Sequence, residues 1–233
     1  MMGSSGLLSA TFHEPGHRHL LELVHQRDLD ARRHLDSLEL TAYDAAGTLR
    51  RTAAVDTRRG VVDLAELLGP PARERLLVLL DARYDPAIFP YRPHHYAYLH
   101  RRGSPRPPLY YAVNATLGGV PDRIGASRFN HFETYLFLRR GVAPRAALLL
   151  GNPSRFATAR AEVTIHYDAG RVERTVELPP KSHAEVALPP AEDGGRVGRV
   201  ELKAPFRLTS YVTGRDAGTG DLVLFDHLFT YFR

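Results

Sequence analysis

The sequence predicts an all-β protein built as two tandem, internally duplicated antiparallel β-sandwich units. Three observations carry the prediction. Apolar and polar residues alternate with period two in several short stretches; Gly- and Pro-containing turns separate these stretches at sandwich spacing; and the pattern occurs twice in the same order.

The repeat organises the chain. Leu38, Glu39, Leu40, Thr41 and Ala42, leading to Ala46 and Gly47, match Ala161, Glu162, Val163, Thr164 and Ile165, leading to Ala169 and Gly170, without a gap. The register continues from Arg51, Thr52 and Val55 onto Arg174, Thr175 and Leu178. After a shift it resumes with Tyr98 and Leu99 on Tyr211 and Val212, then Leu109 on Leu222, and upstream Leu20–Val24 corresponds to Ala146–Leu150. Unit one is placed at residues 7–113, a connector at 114–130 and unit two at 131–233, each unit near the roughly 100 residues of a typical sandwich.

Within each copy the first clear element is a hairpin. Ala161, Val163, Ile165 and Tyr167 alternate with Arg160, Glu162, Thr164 and His166, as Leu38, Leu40 and Ala42 do with Glu39 and Thr41, which marks strands with one buried face. Turns follow at Asp44–Gly47 and Asp168–Gly170, and the chain returns along Thr48–Val55 and Val172–Leu178. Further strands are expected at Val61–Leu64, Leu76–Leu80 and Tyr96–His100, and at Ala184–Leu188, Val197–Leu202 and Leu208–Thr213. One helical turn is expected at Asp63–Leu68, and the last hairpins turn at Arg101–Pro108 and Gly214–Asp221. The prolines at 70–71, 179–180 and 189–190 lie between strands, where a missing amide donor costs no ladder hydrogen bond. The closing segment Leu222–Tyr231 is apolar on both faces of an expected strand, which predicts that it is central in a sheet or covered on its outer face.

The order Asn152, Pro153, the alternating strand to Tyr167, the Asp168–Gly170 turn, Arg174, Thr175 and the strand closing at Pro179 and Pro180 resembles bacterial immunoglobulin-like or fibronectin-III-like repeats. The resemblance is limited to unit two and is weaker in unit one. It implies a spacer, an adhesion or carbohydrate-binding module, or an accessory domain of a larger assembly. With neither Cys nor Trp in the chain, an antibody-type domain with its disulfide and core indole is excluded.

Composition narrows the partners. The absence of Cys removes disulfides, thiolate nucleophiles and thiolate metal sites. No apolar run reaches the roughly 18 residues of a membrane-spanning helix, and Met1–Ala10 does not read as a signal peptide, so the cytoplasm is the default compartment. The net charge of +5 comes almost wholly from Arg, since Lys181 and Lys203 are the only lysines. Arginines interleave with acids around Glu173 instead of forming a stripe with stacking aromatics, so nucleic acid is not expected as a partner.

Catalytic templates are absent or broken. His13, Glu14, Pro15, Gly16 and His17 spell the H-E-x-x-H zinc pattern, but that chemistry needs a helix to place both imidazoles on one face, and Pro15–Gly16 predicts a turn. Ser127, His131 and Glu133 offer triad residue types without a visible hydrogen-bond order. No nucleophile elbow, phosphate loop or dinucleotide fingerprint is present, and no cofactor is expected. Asn114–Thr116 matches a glycosylation sequon, read as chance in a chain without a signal.

What remains is a binding surface. The segment Tyr84–Tyr98 is the largest departure from the repeat and is rich in aromatics and histidine. Tyr91, His94, His95, Tyr96 and Arg101 are the candidate binding residues, with packing between the units as the alternative role of the loop. His131 and Glu133, two apart on one expected strand, are the candidate metal ligands. The expected function is a non-catalytic structural or binding protein; a further reading is a subunit of a larger assembly in which edges at Phe132–Leu138 or Leu222–Phe232 pair with a neighbour. Protein partners or self-association come first, carbohydrate second. The alternative is a metal-dependent enzyme using the histidine-rich loop.

Overall fold

A computed structural model describes residues 5–23, 35–69, 74–84, 95–115, 131–134, 145–189 and 197–228. Among the described residues the chain is all-β apart from one short helix, and it divides into two compact units, Met1–Leu117 and Gly118–Arg233.

The first unit contains β1 (Ser5–His13), β2 (His17–Glu22), β3 (Leu35–Tyr43), β4 (Leu49–Ala54), β5 (Val61–Asp63), α1 (Leu64–Leu68), β6 (Leu76–Tyr84), β7 (Tyr96–Arg101), β8 (Leu109–Ala112) and β9 (Asn114–Ala115). The second contains β10 (His131–Thr134), β11 (Arg145–Gly151), β12 (Ala159–Tyr167), β13 (Gly170–Leu178), β14 (His183–Leu188), β15 (Val197–Lys203), β16 (Thr209–Arg215) and β17 (Leu222–His227). Every described strand pairing is antiparallel.

Each unit holds two sheets with the same strand order. The order β4-β3-β6-β1 in the first answers to β13-β12-β15-β10 in the second, and β5-β2-β7-β8 answers to β14-β11-β16-β17. The first unit adds β9 beside β1, so Asn114–Ala115, placed by the sequence in the connector, belongs to a sheet.

The hairpins form for the reasons expected. In β12, Ala159, Ala161, Val163 and Ile165 are buried while Arg160 and Glu162 are exposed, and in β3 Leu38, Leu40 and Ala42 point inward. The first hairpin is tied at its tip by Asp44, whose carboxylate accepts from the amides of Ala46 and Thr48 at 2.9 Å, and Gly47 takes the positive φ of 85° that closes the turn. In the second unit Asn152, just after β11, ties the open end of the β12–β13 hairpin instead. Its amide donates to the carbonyls of Ala157, Leu178 and Pro179 at 2.8–3.1 Å, and its oxygen accepts from Ser154. Residues from both sheets of this unit, among them Leu148 and Leu150 of β11, Val163 and Ile165 of β12, Val186 of β14, Leu202 of β15 and Val212 of β16, form one buried apolar cluster. The expected helical turn is α1, capped by Asp63, whose side chain accepts from Ala65.

The C-terminal strand takes the second of the two places expected for it, a non-central one. β17 ends at His227 and, among the described residues, lies at the edge of its sheet, not in the middle. Its apolar character has another cause. β11 and β16 are buried on both faces, and Phe225 follows suit, buried with its ring 5.0 Å from that of Tyr211. Residues 229–233 lie outside the described set.

Candidate functional site

Two features of the first unit stand out, one on each side of the sheet β5-β2-β7-β8. Alternation along β7 turns Ala97 and Leu99 inward and Tyr96, Tyr98 and His100 outward. The register places Tyr110 of β8 opposite Tyr98, and Leu20 of β2 on its other side. Three phenols therefore meet on the outer face. The Tyr96 and Tyr110 rings stack at 5.3 Å with 9° between their planes, and Tyr98 leans on Tyr110 at 4.7 Å. Tyr110 is 54% exposed and Val61 of β5 44%. Glu22 accepts from the Tyr98 hydroxyl at 3.3 Å, and Arg18 pairs with Asp63 at 3.0 Å along the same face. Partial burial, reinforced by the Glu22 carboxylate, raises the pKa of both Tyr98 and Tyr110, so both stay neutral donors.

The inner side of the same sheet is unusually polar for a core. The Tyr111 hydroxyl lies 2.7 Å from the Thr11 hydroxyl and 2.6 Å from His19 Nε2, joining β8 to β1 and β2. The His13 ring stacks on that of His19 at 6.1 Å. Nδ1 of each of these two histidines has no hydrogen-bond partner among the described residues. Burial lowers the His19 pKa to about 3, helped by His13 and His17, and burial lowers that of His13 despite the opposing pull of Glu14 and Asp63. Glu14, itself buried, forms a two-point ion pair with Arg75. The H-E-x-x-H residues thus lie on the β1–β2 hairpin, where Glu14 takes the proton-donating guanidinium of Arg75 as its partner and Gly16 at φ 75° makes the turn. No group of three or more His, Asp or Glu side chains among the described residues is placed to hold a metal ion.

The candidates from sequence fall as follows. Tyr96 opens β7 as part of the tyrosine face, and Arg101 ends the same strand, exposed. His95 precedes them, buried, its carbonyl accepting from the Val113 amide at 2.8 Å. Tyr91 and His94, and most of the Tyr84–Tyr98 loop, lie outside the described residues. His131 and Glu133 sit on β10 opposite Lys203 and Glu201, and their side chains are outside the described set. Tyr98, the last aromatic of the Tyr84–Tyr98 segment, joins Tyr96 on the outer face, whereas Tyr110 and Glu22, which complete it, and His19 and Tyr111, which organise the interior, are not among the sequence candidates. The alternation Tyr96-Ala97-Tyr98-Leu99-His100 signals the face, but only the cross-strand register adds Tyr110.

No protein-family model matches the chain, and no curated protein matches its sequence at a significant level.

Proposed function

We propose that the chain is a non-catalytic structural or binding protein, two sandwich units descended from one by duplication, and that its partner docks on the tyrosine face of β5-β2-β7-β8. The exposed contact of Tyr96, Tyr98 and Tyr110 carries this reading. Aromatic rings with polar tips are the side chains that most often anchor protein interfaces, because each buries a large area while fixing few torsions. The stacked Tyr96 and Tyr110 rings, with Tyr98 leaning on Tyr110, form one contiguous aromatic area, which supports a protein partner, in trans or a second copy. The duplication is supported by the common strand order and the gapless match of the two hairpins.

The test is a photoreactive phenylalanine analogue placed at Tyr110 in one sample and at Phe156, 65% exposed in the second unit, in another. In extract of the source cells the first is expected to give a discrete adduct, intermolecular in mass, and the second none. Equal or absent adducts contradict the reading. Elemental analysis of protein purified without metal affinity addresses the rival enzyme: a stoichiometric transition metal lost on replacing His131 and Glu133 would favour it.

A further inference from the structure

We infer that the open edge of β8 receives an extended, acidic segment of a protein partner by strand addition. The inference rests on the tyrosine face being a binding surface and specifies what binds beside it.

Among the described residues β8 is the last strand of its sheet. The Val113 amide donates to the His95 carbonyl, on the β7 side. In an antiparallel ladder successive residues turn their backbone groups to opposite sides. Leu109 and Tyr111 therefore face β7, and the amide and carbonyl of Tyr110 and of Ala112 face the open edge. A strand presenting unpaired donors and acceptors in this way is a template for another chain. A segment laid along it would reach Tyr110, already exposed, with its outward side chains.

Charge selects the partner. From His95 to Val113 the chain carries Arg101, Arg102 and Arg106 and no Asp or Glu. All three arginines are exposed, Arg101 at the end of β7 and Arg102 and Arg106 in the connection that leads into β8. Arg102 is fixed at the hairpin end by its amide, which donates to the Gly16 carbonyl at 3.3 Å. A segment with Asp or Glu beyond its β-forming residues would pair with the edge and with this loop together. Pro107 and Pro108 end the strand on that side, so the pairing is short and the acidic contacts supply the remainder. The edge strands β10 and β17 lack such a flanking cationic loop within the described residues and adjoin undescribed chain.

The experiment uses the full chain and a displayed library of random peptides. Selection is expected to enrich Asp and Glu and to deplete Pro, with bound peptide slowing amide exchange at Tyr110 and Ala112. Ala112→Pro, which deletes one edge donor without touching a β7 bond, is expected to weaken the selected peptide about tenfold or more, as is Arg102→Glu combined with Arg106→Glu. Raising salt should weaken it too. Circular dichroism and melting verify that the variants fold; should Ala112→Pro fail, N-methylation of the peptide at edge-facing positions gives the same measurement on the other partner. Selection of peptides without acidic residues overturns the acidic segment, and binding with neither amide protected overturns strand addition; either result refutes the inference. If such peptides still lose affinity on Tyr96→Ser and Tyr98→Ser, the tyrosine face stands and only the strand-addition inference fails; if they do not, both fail.

Discussion

Lowering the pH from 7 to 5 is expected to destabilise the first unit through His19. The ring is fully buried, with His13 and His17 as its titratable neighbours and the Tyr111 hydroxyl, itself bonded to Thr11, as its polar one; Glu14, Asp63 and Arg75 lie around the same hairpin. Burial holds its pKa at about 3 in the folded chain against an ordinary 6.5. The folded-state value is depressed, so the stability it confers is complete above pH 6.5 and is lost as the pH falls toward 3, where the unfolded chain binds a proton that the folded chain refuses. At about 1.4 kcal/mol per pH unit, roughly 2 kcal/mol is gone at pH 5 from this residue alone. His13, also depressed by burial, adds a loss of the same sign. The assay is amide exchange at β2 and β8, with β11 and β16 of the second unit as internal reference, in wild type and in His19→Leu. Leucine fills the site without titrating, and Tyr111 keeps Thr11 as partner. Between pH 7 and 5 the wild type should lose about 2 kcal/mol more than the variant. Parallel acid limbs would refute the reasoning.

Tyr111→Phe should cost about 1–3 kcal/mol, because it strands the Thr11 hydroxyl and His19 Nε2 in the core; urea titration at pH 7 measures it. Asn152→Ala should cost the second unit about 2 kcal/mol, because the carbonyls of Ala157 and Leu178 lose its amide while that of Pro179 keeps Ser182 as donor, and a melting temperature within a degree or so of wild type would contradict that role. Phe225→Ala should cost about 3–5 kcal/mol for a buried ring packed on Tyr211, read in the same melting experiment. Tyr98 and Tyr110 should ionise later than free tyrosine in an ultraviolet titration, since partial burial and Glu22 disfavour the phenolate.

The hairpins β3–β4 and β12–β13 were legible because each buries one face of a strand, so alternation and a turn suffice to define them. The strand β1 was not. Its inward positions are Thr11 and His13, polar residues satisfied or stacked across the core by Tyr111 and His19, while Ala10 and Phe12 are buried on the opposite face. A pattern that is polar inward reads as no strand until the partners on β2 and β8 are known. The C-terminal strand was legible only in part: apolar residues on both faces allow a central place or a covered edge, and among the described residues β17 is an edge strand of a sheet whose inner strands are buried on both faces. For the site, Tyr96 was legible as an aromatic beside a hairpin. Its companion Tyr110, fourteen positions on, becomes a neighbour only through the β7–β8 register, which the intervening Pro- and Arg-rich loop conceals.

The central functional claim, that the tyrosine face holds a partner, is tested most directly by replacing Tyr96, Tyr98 and Tyr110 together with serine at the native locus and measuring the size of the native assembly. The outward-facing rings are not core residues, so the variant should fold and accumulate normally. It should elute as the free chain where the wild type elutes in a larger complex. A wild type that elutes alone, or a complex that survives all three substitutions, would contradict the account.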